Sequence, residues 1–147
     1  MPGSPLKTTK GCFGCGTENP VSLGIAPTLD DDGRVRAPFT ARQEHRGLSQ
    51  IAHGGIVATV CDEMMGFAMS VYGGKDLYVT TSLELRFLKA VRLGAPMIAE
   101  AWCTSRRGRV VHVRARVLSP DGQEHATACA RFLRLPDRLR TSFVRGS

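Results

Sequence analysis

No uninterrupted stretch of about 18 apolar residues occurs, so nothing reads as a membrane span. The opening MPGSPLKTTKGCFGCG lacks the apolar core of a signal peptide. Low-complexity tracts and internal repeats are missing as well. Five cysteines make an odd number, which argues for free thiols over a disulfide framework. Aromatics are sparse at 6%, with Trp102 the sole tryptophan, and no stacking pattern accompanies the basic residues. These absences set the expectation of a cytoplasmic protein with no membrane and no nucleic-acid partner. With 147 residues, 42% hydrophobic and 22% charged, the chain fits one ordinary domain.

Charge is unevenly withheld. Acidic residues thin out in the last third, where ten arginines face only Asp121, Glu124 and Asp137. The first hundred residues balance, so the net charge of +7 resides in residues 101–147. Such a patch suits a phosphate-bearing ligand or, more blandly, solvated strand faces. Between Gly47 and Gly74 the scarcity is greater: Asp62 and Glu63 are the only charged residues. A carboxylate in an apolar helix is costly and is neutralised, paired or put to use.

Residues 54–72 read as a helix, apolar nearly all round and so expected to be buried on most sides, ended by Gly73-Gly74. Before it, 21–29 and 34–41 suggest two short strands joined at Asp32-Gly33. After it, 78–88, 96–104, 109–118 and 124–134 alternate with period two. In the first of these, Thr81, Leu83, Leu85 and Phe87 share one face, opposite Ser82, Glu84 and Arg86. One apolar face per strand implies an antiparallel sheet covered on one side, and the helix is the cover available. The predicted architecture is α+β, with the domain at 12–136 and flexible tails at 1–11 and 137–147.

Three motifs carry a family resemblance. They are Cys12-Phe-Gly-Cys15-Gly with Asn19-Pro20 and Leu23; His53-Gly54-Gly55 with Asp62-Glu63 and Gly66; and Thr80-Thr-Ser-Leu-Glu-Leu-Arg-Phe87 leading to Gly94. In this order they resemble the hotdog-fold acyl-CoA thioesterases of the phenylacetate-pathway type. The resemblance implies an antiparallel sheet of about six strands wrapped around one long central helix, and sites formed where two subunits pair. It implies hydrolysis of acyl-CoA, with Asp62 as the catalytic carboxylate and Glu63 as the rival acid. The Gly54 N–H would polarise the thioester carbonyl, His53 would orient it and Thr80 would position water. Gly47 stands where some relatives carry Asn or Gln, Gln50 where Gly is usual, and Ala90 where Pro is usual. Gln50 and Gly55 are the neighbouring substrate contacts, and Ser82 is the alternative hydroxyl.

The chemistry is plausible from the residues upward. A thiolate leaves readily, so one carboxylate and one oxyanion donor suffice. Bare N–H groups at a helix start suit an oxyanion. Gly54 and Asp62 lie eight residues apart, which is roughly 12 Å along a helix. Attack distance is about 3–3.5 Å. Both groups can act on one substrate only if a second subunit supplies one of them, which predicts a homodimer, or a dimer of dimers. Asp62 and Glu63 diverge by about 100°, so Glu63 is expected to pair with an arginine or reach the subunit seam.

Lys89 and the cluster Arg106, Arg107 and Arg109 are candidates for the phosphates of coenzyme A. No cofactor is expected beyond coenzyme A as part of the substrate. A structural zinc needs four ligands. No second C-x-x-C accompanies Cys12 and Cys15, so no metal is expected and the pair reads as packing a tight turn. The competing reading of the whole chain is a non-catalytic acyl-CoA-binding or ligand-sensing hotdog module. A hydratase or dehydratase of the same fold is the third.

Overall fold

The computed structural model describes residues 3–144; residues 1–2 and 145–147 of the expected tails lie outside that range. In chain order it contains β1 (Ser4–Pro5), β2 (Thr28–Leu29), β3 (Val35–Thr40), a 3-10 turn (Gln43–His45) and α1 (Gly54–Gly73). There follow β4 (Tyr78–Phe87), β5 (Pro96–Arg107), β6 (Val110–Leu118), β7 (Glu124–Arg134) and α2 (Asp137–Val144). The seven strands form one antiparallel sheet in the order β1-β2-β3-β5-β6-β7-β4. The helix α1 packs against β3, β4, β5, β6 and β7. A single helix held by a wrapped antiparallel sheet is the hotdog arrangement.

Two periodicities meet in the core. Along α1, Val57, Val60, Cys61, Met64, Met65, Ala68 and Met69 are buried, a stripe at helical spacing. Facing it, β5, β6 and β7 present Ala99, Ala101, Ala115, Ala126, Ala128 and Ala130, all buried. Alanines on the sheet let the helix approach closely, and the core is filled by the valines and methionines of the helix together with Phe39, Val111, Val113, Val117 and Phe132 of the sheet. Seven of the 20 residues of α1 are buried; by length and composition alone this helix would pass for a membrane span, although no uninterrupted apolar run in the sequence does. The helix is therefore not buried on most sides within one protomer. Val71 and Tyr72 are exposed, and Asp62, Glu63 and Phe67 are half-buried.

Both ends carry elements that the alternation does not register. Ser4–Pro5 pairs with Thr28–Leu29. After Pro136, α2 runs eight residues with Asp137 in its first turn, where a carboxylate favours the helix dipole. Of the strand expected over 21–29, only Thr28–Leu29 joins the sheet.

The outer face of the sheet holds a buried carboxylate that alternation alone would expose. Glu100 is 3% exposed and pairs with Arg34 Nη1 at 2.8 Å, Arg36 Nε at 2.9 Å and Arg116 Nε. Arg34 also stacks 4.0 Å over Trp102. Burial alone would raise the Glu100 pKa, but the hydrogen bonds from Arg116 and Arg36 outweigh it and hold the carboxyl below its ordinary value of 4.5. A depressed carboxylate contributes stability above its unfolded pKa and loses it as pH falls through the folded one. Glu100→Gln removes the charge facing three guanidinium groups and should cost about 3–5 kcal/mol. Urea unfolding at neutral pH measures that loss. A pH series should show the wild type losing stability below about pH 4.5 more steeply than the variant.

Candidate active site

The start of α1 is built by a histidine cap. His53 Nδ1 accepts the Gly55 N–H at 2.9 Å, and the His53 N–H donates to the His45 carbonyl at 2.7 Å. A neutral imidazole accepting at Nδ1 carries its proton on Nε2, which leaves that N–H as a donor. The Gly55 N–H is consumed by the cap, so Gly55 offers no donor to a ligand. The Gly54 N–H has no partner among the described residues. His53 and Gly54 line a cavity of about 430 Å³ together with Leu48, Phe87, Lys89 and His125.

His45, which the sequence reading did not single out, anchors this turn. It is buried, stacks on Phe39 and accepts the Arg42 N–H at Nδ1. Burial and the neighbouring Arg42 lower its pKa, favouring the neutral ring. His125 was missed too; its Nδ1 lies 2.9 Å from the Ala90 carbonyl at the cavity edge. No local pattern marks it, because β7 brings it there from far along the chain.

Asp62 lies two turns further along α1, outside the lining of that cavity. Its Oδ1 accepts the Thr80 hydroxyl at 3.0 Å. Strict alternation puts Thr80 on the face with Ser82 and Glu84, away from the helix. A register shift between Thr80 and Ser82 breaks the parity: Thr80 pairs with buried Phe132, while Ser82 pairs with exposed Arg131. The bulge turns Thr80 inward to join Leu83, Leu85 and Phe87, and Thr81 is displaced from that face. Ser82 faces the outer side beside Glu84, His112 and Arg131, so it does not reach the site.

Glu63 points elsewhere. Its Oε1 accepts from the Cys12 thiol at 3.3 Å, and Gly14 packs against its carboxylate. It pairs with no arginine among the described residues, which removes the first of the two placements expected from sequence. Cys12 and Cys15 do shape a tight turn, closed by the Gly16 N–H on the Cys12 carbonyl at 2.8 Å. Buried thiols are poor nucleophiles here: burial, then the neighbouring Glu63, pushes Cys15 up to about 12. Burial likewise pushes Cys61 up to about 12 and Cys103 up to about 11.

The remaining expected contacts are scattered. Lys89 sits at the cavity and bonds Gln123 at 2.7 Å. Arg106, Arg107 and Arg109 lie at the β5–β6 turn, near Arg134 and Asp76, at the opposite end of the sheet from Phe87 and Ala126. One protomer therefore does not bring Lys89 and these arginines together. Gln50 is not among the cavity-lining residues; its backbone carbonyl accepts the Leu93 N–H. At Gly47, an added Cβ would lie 2.9 Å from His53 Cα, so an amide side chain cannot stand there without moving the cap.

A family description, the thioesterase superfamily, matches residues 49–126, more than half of the chain. The chain belongs to the thioesterase superfamily. The matched stretch contains His53, Gly54, Asp62 and Thr80. No curated protein matches the sequence. A solved thioesterase superfamily protein superposes with a TM-score of 0.75 at 24% identity, over 80% of this chain and 60% of that longer one. A mutant of the phenylacetic acid degradation protein PaaI from Thermus thermophilus gives 0.68 at 24% identity, over 77% and 95% of the two chains. The protein smu.793 from Streptococcus mutans, solved bound to acetyl-CoA, gives 0.69 at 22% identity, over 81% and 94%. These likenesses establish the shared fold.

Gly47→Ala tests the cap. Its methyl meets His53 backbone, not a flexible chain end, and should cost about 1–3 kcal/mol in a chemical denaturation curve.

Proposed function

We propose that the protein hydrolyses acyl-CoA thioesters to free acid and CoA at sites shared between two copies of the chain. The observation that carries this reading is the Thr80–Asp62 hydrogen bond on the helix side of the sheet. It orients a carboxylate in a half-buried position with no cation beside it among the described residues. With Oδ1 held by Thr80, the other oxygen is available to take a proton from water or to attack the carbonyl carbon. The Gly54 N–H and the His53 Nε2–H donate to the oxyanion as it forms. Collapse of the tetrahedral intermediate then expels the CoA thiolate, giving the free acid directly where water attacks, or a mixed anhydride with Asp62 that water then hydrolyses to the free acid.

The sheet edge supports pairing of two copies. Among the described residues the strand β4 is an edge, bonded only to β7 on one side and to no strand on the other. Leu83 is 37% and Phe87 59% exposed. Long free edges with apolar side chains invite a partner strand. Within one copy, Thr80 marks Asp62, and Phe87 lies 3.4 Å from where a Gly54 Cβ would sit. Antiparallel pairing of two β4 edges about an axis near Leu83 sets Thr80 of one copy across from the Leu85–Phe87 stretch of the other. Asp62 then approaches the second copy's Gly54. The same pairing carries the Arg106–Arg109 turn of one copy toward the cavity of the other, where Lys89 already stands. That placement suits the phosphates of coenzyme A.

The alternative, a non-catalytic acyl-CoA-binding module, draws on Gly47, where the amide of some relatives is missing. Thiol release from an acyl-CoA panel separates the two. Hydrolysis by the wild type, cut by about 10²–10⁴ in Asp62→Asn and kept in Glu84→Gln, is the expected outcome. CoA binding without turnover would favour the module. Loss in Glu63→Gln with activity kept in Asp62→Asn would overturn the assignment of the acid.

Leu83→Arg places a charge at the proposed axis. Light scattering should report a monomer for this variant, with turnover reduced at least tenfold. A monomer of full activity would contradict the shared site.

A further inference from the structure

The turn Cys12–Gly16 and the helix residue Glu63 make a cluster that the hydrolytic reading does not use. The Cys12 Sγ, the Cys15 Sγ and a Glu63 carboxylate oxygen all lie within 4.8 Å of one another. Cys15 is buried, and Cys12 and Glu63 are half-buried. We propose that Cys12, Cys15 and Glu63 bind one zinc ion, which fastens the N-terminal turn to α1 one residue from Asp62.

The donor set and its spacing fit. Zinc takes thiolate sulfur at about 2.3 Å and carboxylate oxygen at about 2.0–2.2 Å in a tetrahedron. That geometry puts sulfur and oxygen roughly 3.5 Å apart and two sulfurs roughly 3.8 Å apart. The Cys12 Sγ to Glu63 Oε1 distance is already 3.3 Å. Three protein ligands leave the fourth position to water, on the side where Cys12 and Glu63 are partly open.

Charge points the same way. A carboxylate packed on two thiols, with no cationic partner among the described residues, is electrostatically incomplete. A divalent cation supplies the missing charge, and each thiol releases one proton to solvent as its Zn–S bond forms. The turn is held ready for this. The Gly14 N–H donates to the Cys12 Sγ at 3.3 Å, a bond that also supports a thiolate. Bonds from the Leu23 and Ile25 N–H groups to the Phe13 and Gly14 carbonyls pin the same segment. At Gly14, an added Cβ would sit 2.5 Å from Glu63 Cδ, so glycine is what lets the carboxylate reach the sulfurs. Counting cysteines in the sequence set zinc aside for want of a second pair; the fold supplies a carboxylate as third ligand.

Elemental analysis of the full chain, purified reduced from zinc-supplemented cells and desalted, should give about one zinc per chain. Replacing it with Co²⁺ should produce thiolate-to-cobalt charge-transfer absorption in the near ultraviolet. Cys12→Ser/Cys15→Ser should lose both signals, and Cys129→Ser, at an exposed thiol on the outer face, should keep both. Glu63→Gln should keep the cobalt band and weaken zinc binding about tenfold or more. EDTA should lower the melting temperature of the wild type without changing that of the double variant. The proposal is overturned if the reduced wild type holds no zinc and shows no cobalt band. It is equally overturned if the band survives the double serine substitution, or if EDTA leaves the wild-type melting temperature unchanged. These readouts do not involve thioester hydrolysis, so failure of the zinc site and failure of the enzymatic reading are separable.

Discussion

Burial of one helix against an alanine-lined sheet governs this protein. The methionines and valines of α1 fill the space above Ala99, Ala101, Ala115, Ala126, Ala128 and Ala130. That packing fixes where each polar group on the helix must emerge. His53 and Gly54 emerge at the open N-terminus, Asp62 toward β4, and Glu63 toward the turn of Cys12 and Cys15. Because α1 is rigid, the acid and the amide stay about 12 Å apart along its axis. A shared site between two copies is the direct consequence of that stiffness, if both groups serve one substrate.

The same stiffness divides labour between the two adjacent acids. A turn of about 100° per residue sends Asp62 and Glu63 to different surroundings. Asp62 meets a hydroxyl, in a position that a ligand from outside can reach. Glu63 meets two thiols and the backbone of a tight turn. Their sequence neighbours are nearly the same, yet their partners differ entirely. A metal on the Glu63 side would hold that carboxylate away from the reaction and brace the helix beside Asp62.

On the far face of the sheet, a second polar cluster does structural work. Arg34, Arg36 and Arg116 converge on Glu100, whose carboxylate offsets part of their charge. Of the ten arginines in the last third, Arg116 is thereby paired inside the protomer, as Arg134 is with Asp76. The Arg106–Arg109 turn remains at a sheet end, exposed, and is the portion available to an anionic ligand.

The sequence by itself determined the central helix, the strands β3 to β7 and the fold class, because periods of 3.6 and 2 record which side of a helix or strand is buried. It also marked His53, Gly54 and Asp62, since a glycine pair at a helix start and a lone acid in an apolar run are local patterns. Tertiary structure alone decided the rest. A one-residue bulge at Thr81 reversed the face of Thr80, and alternation cannot register an insertion that depends on pairing with β7. His125 and Glu100 gained their surroundings from segments distant in the chain. Glu63 found Cys12 across 51 residues, a contact that no spacing in the linear chain encodes.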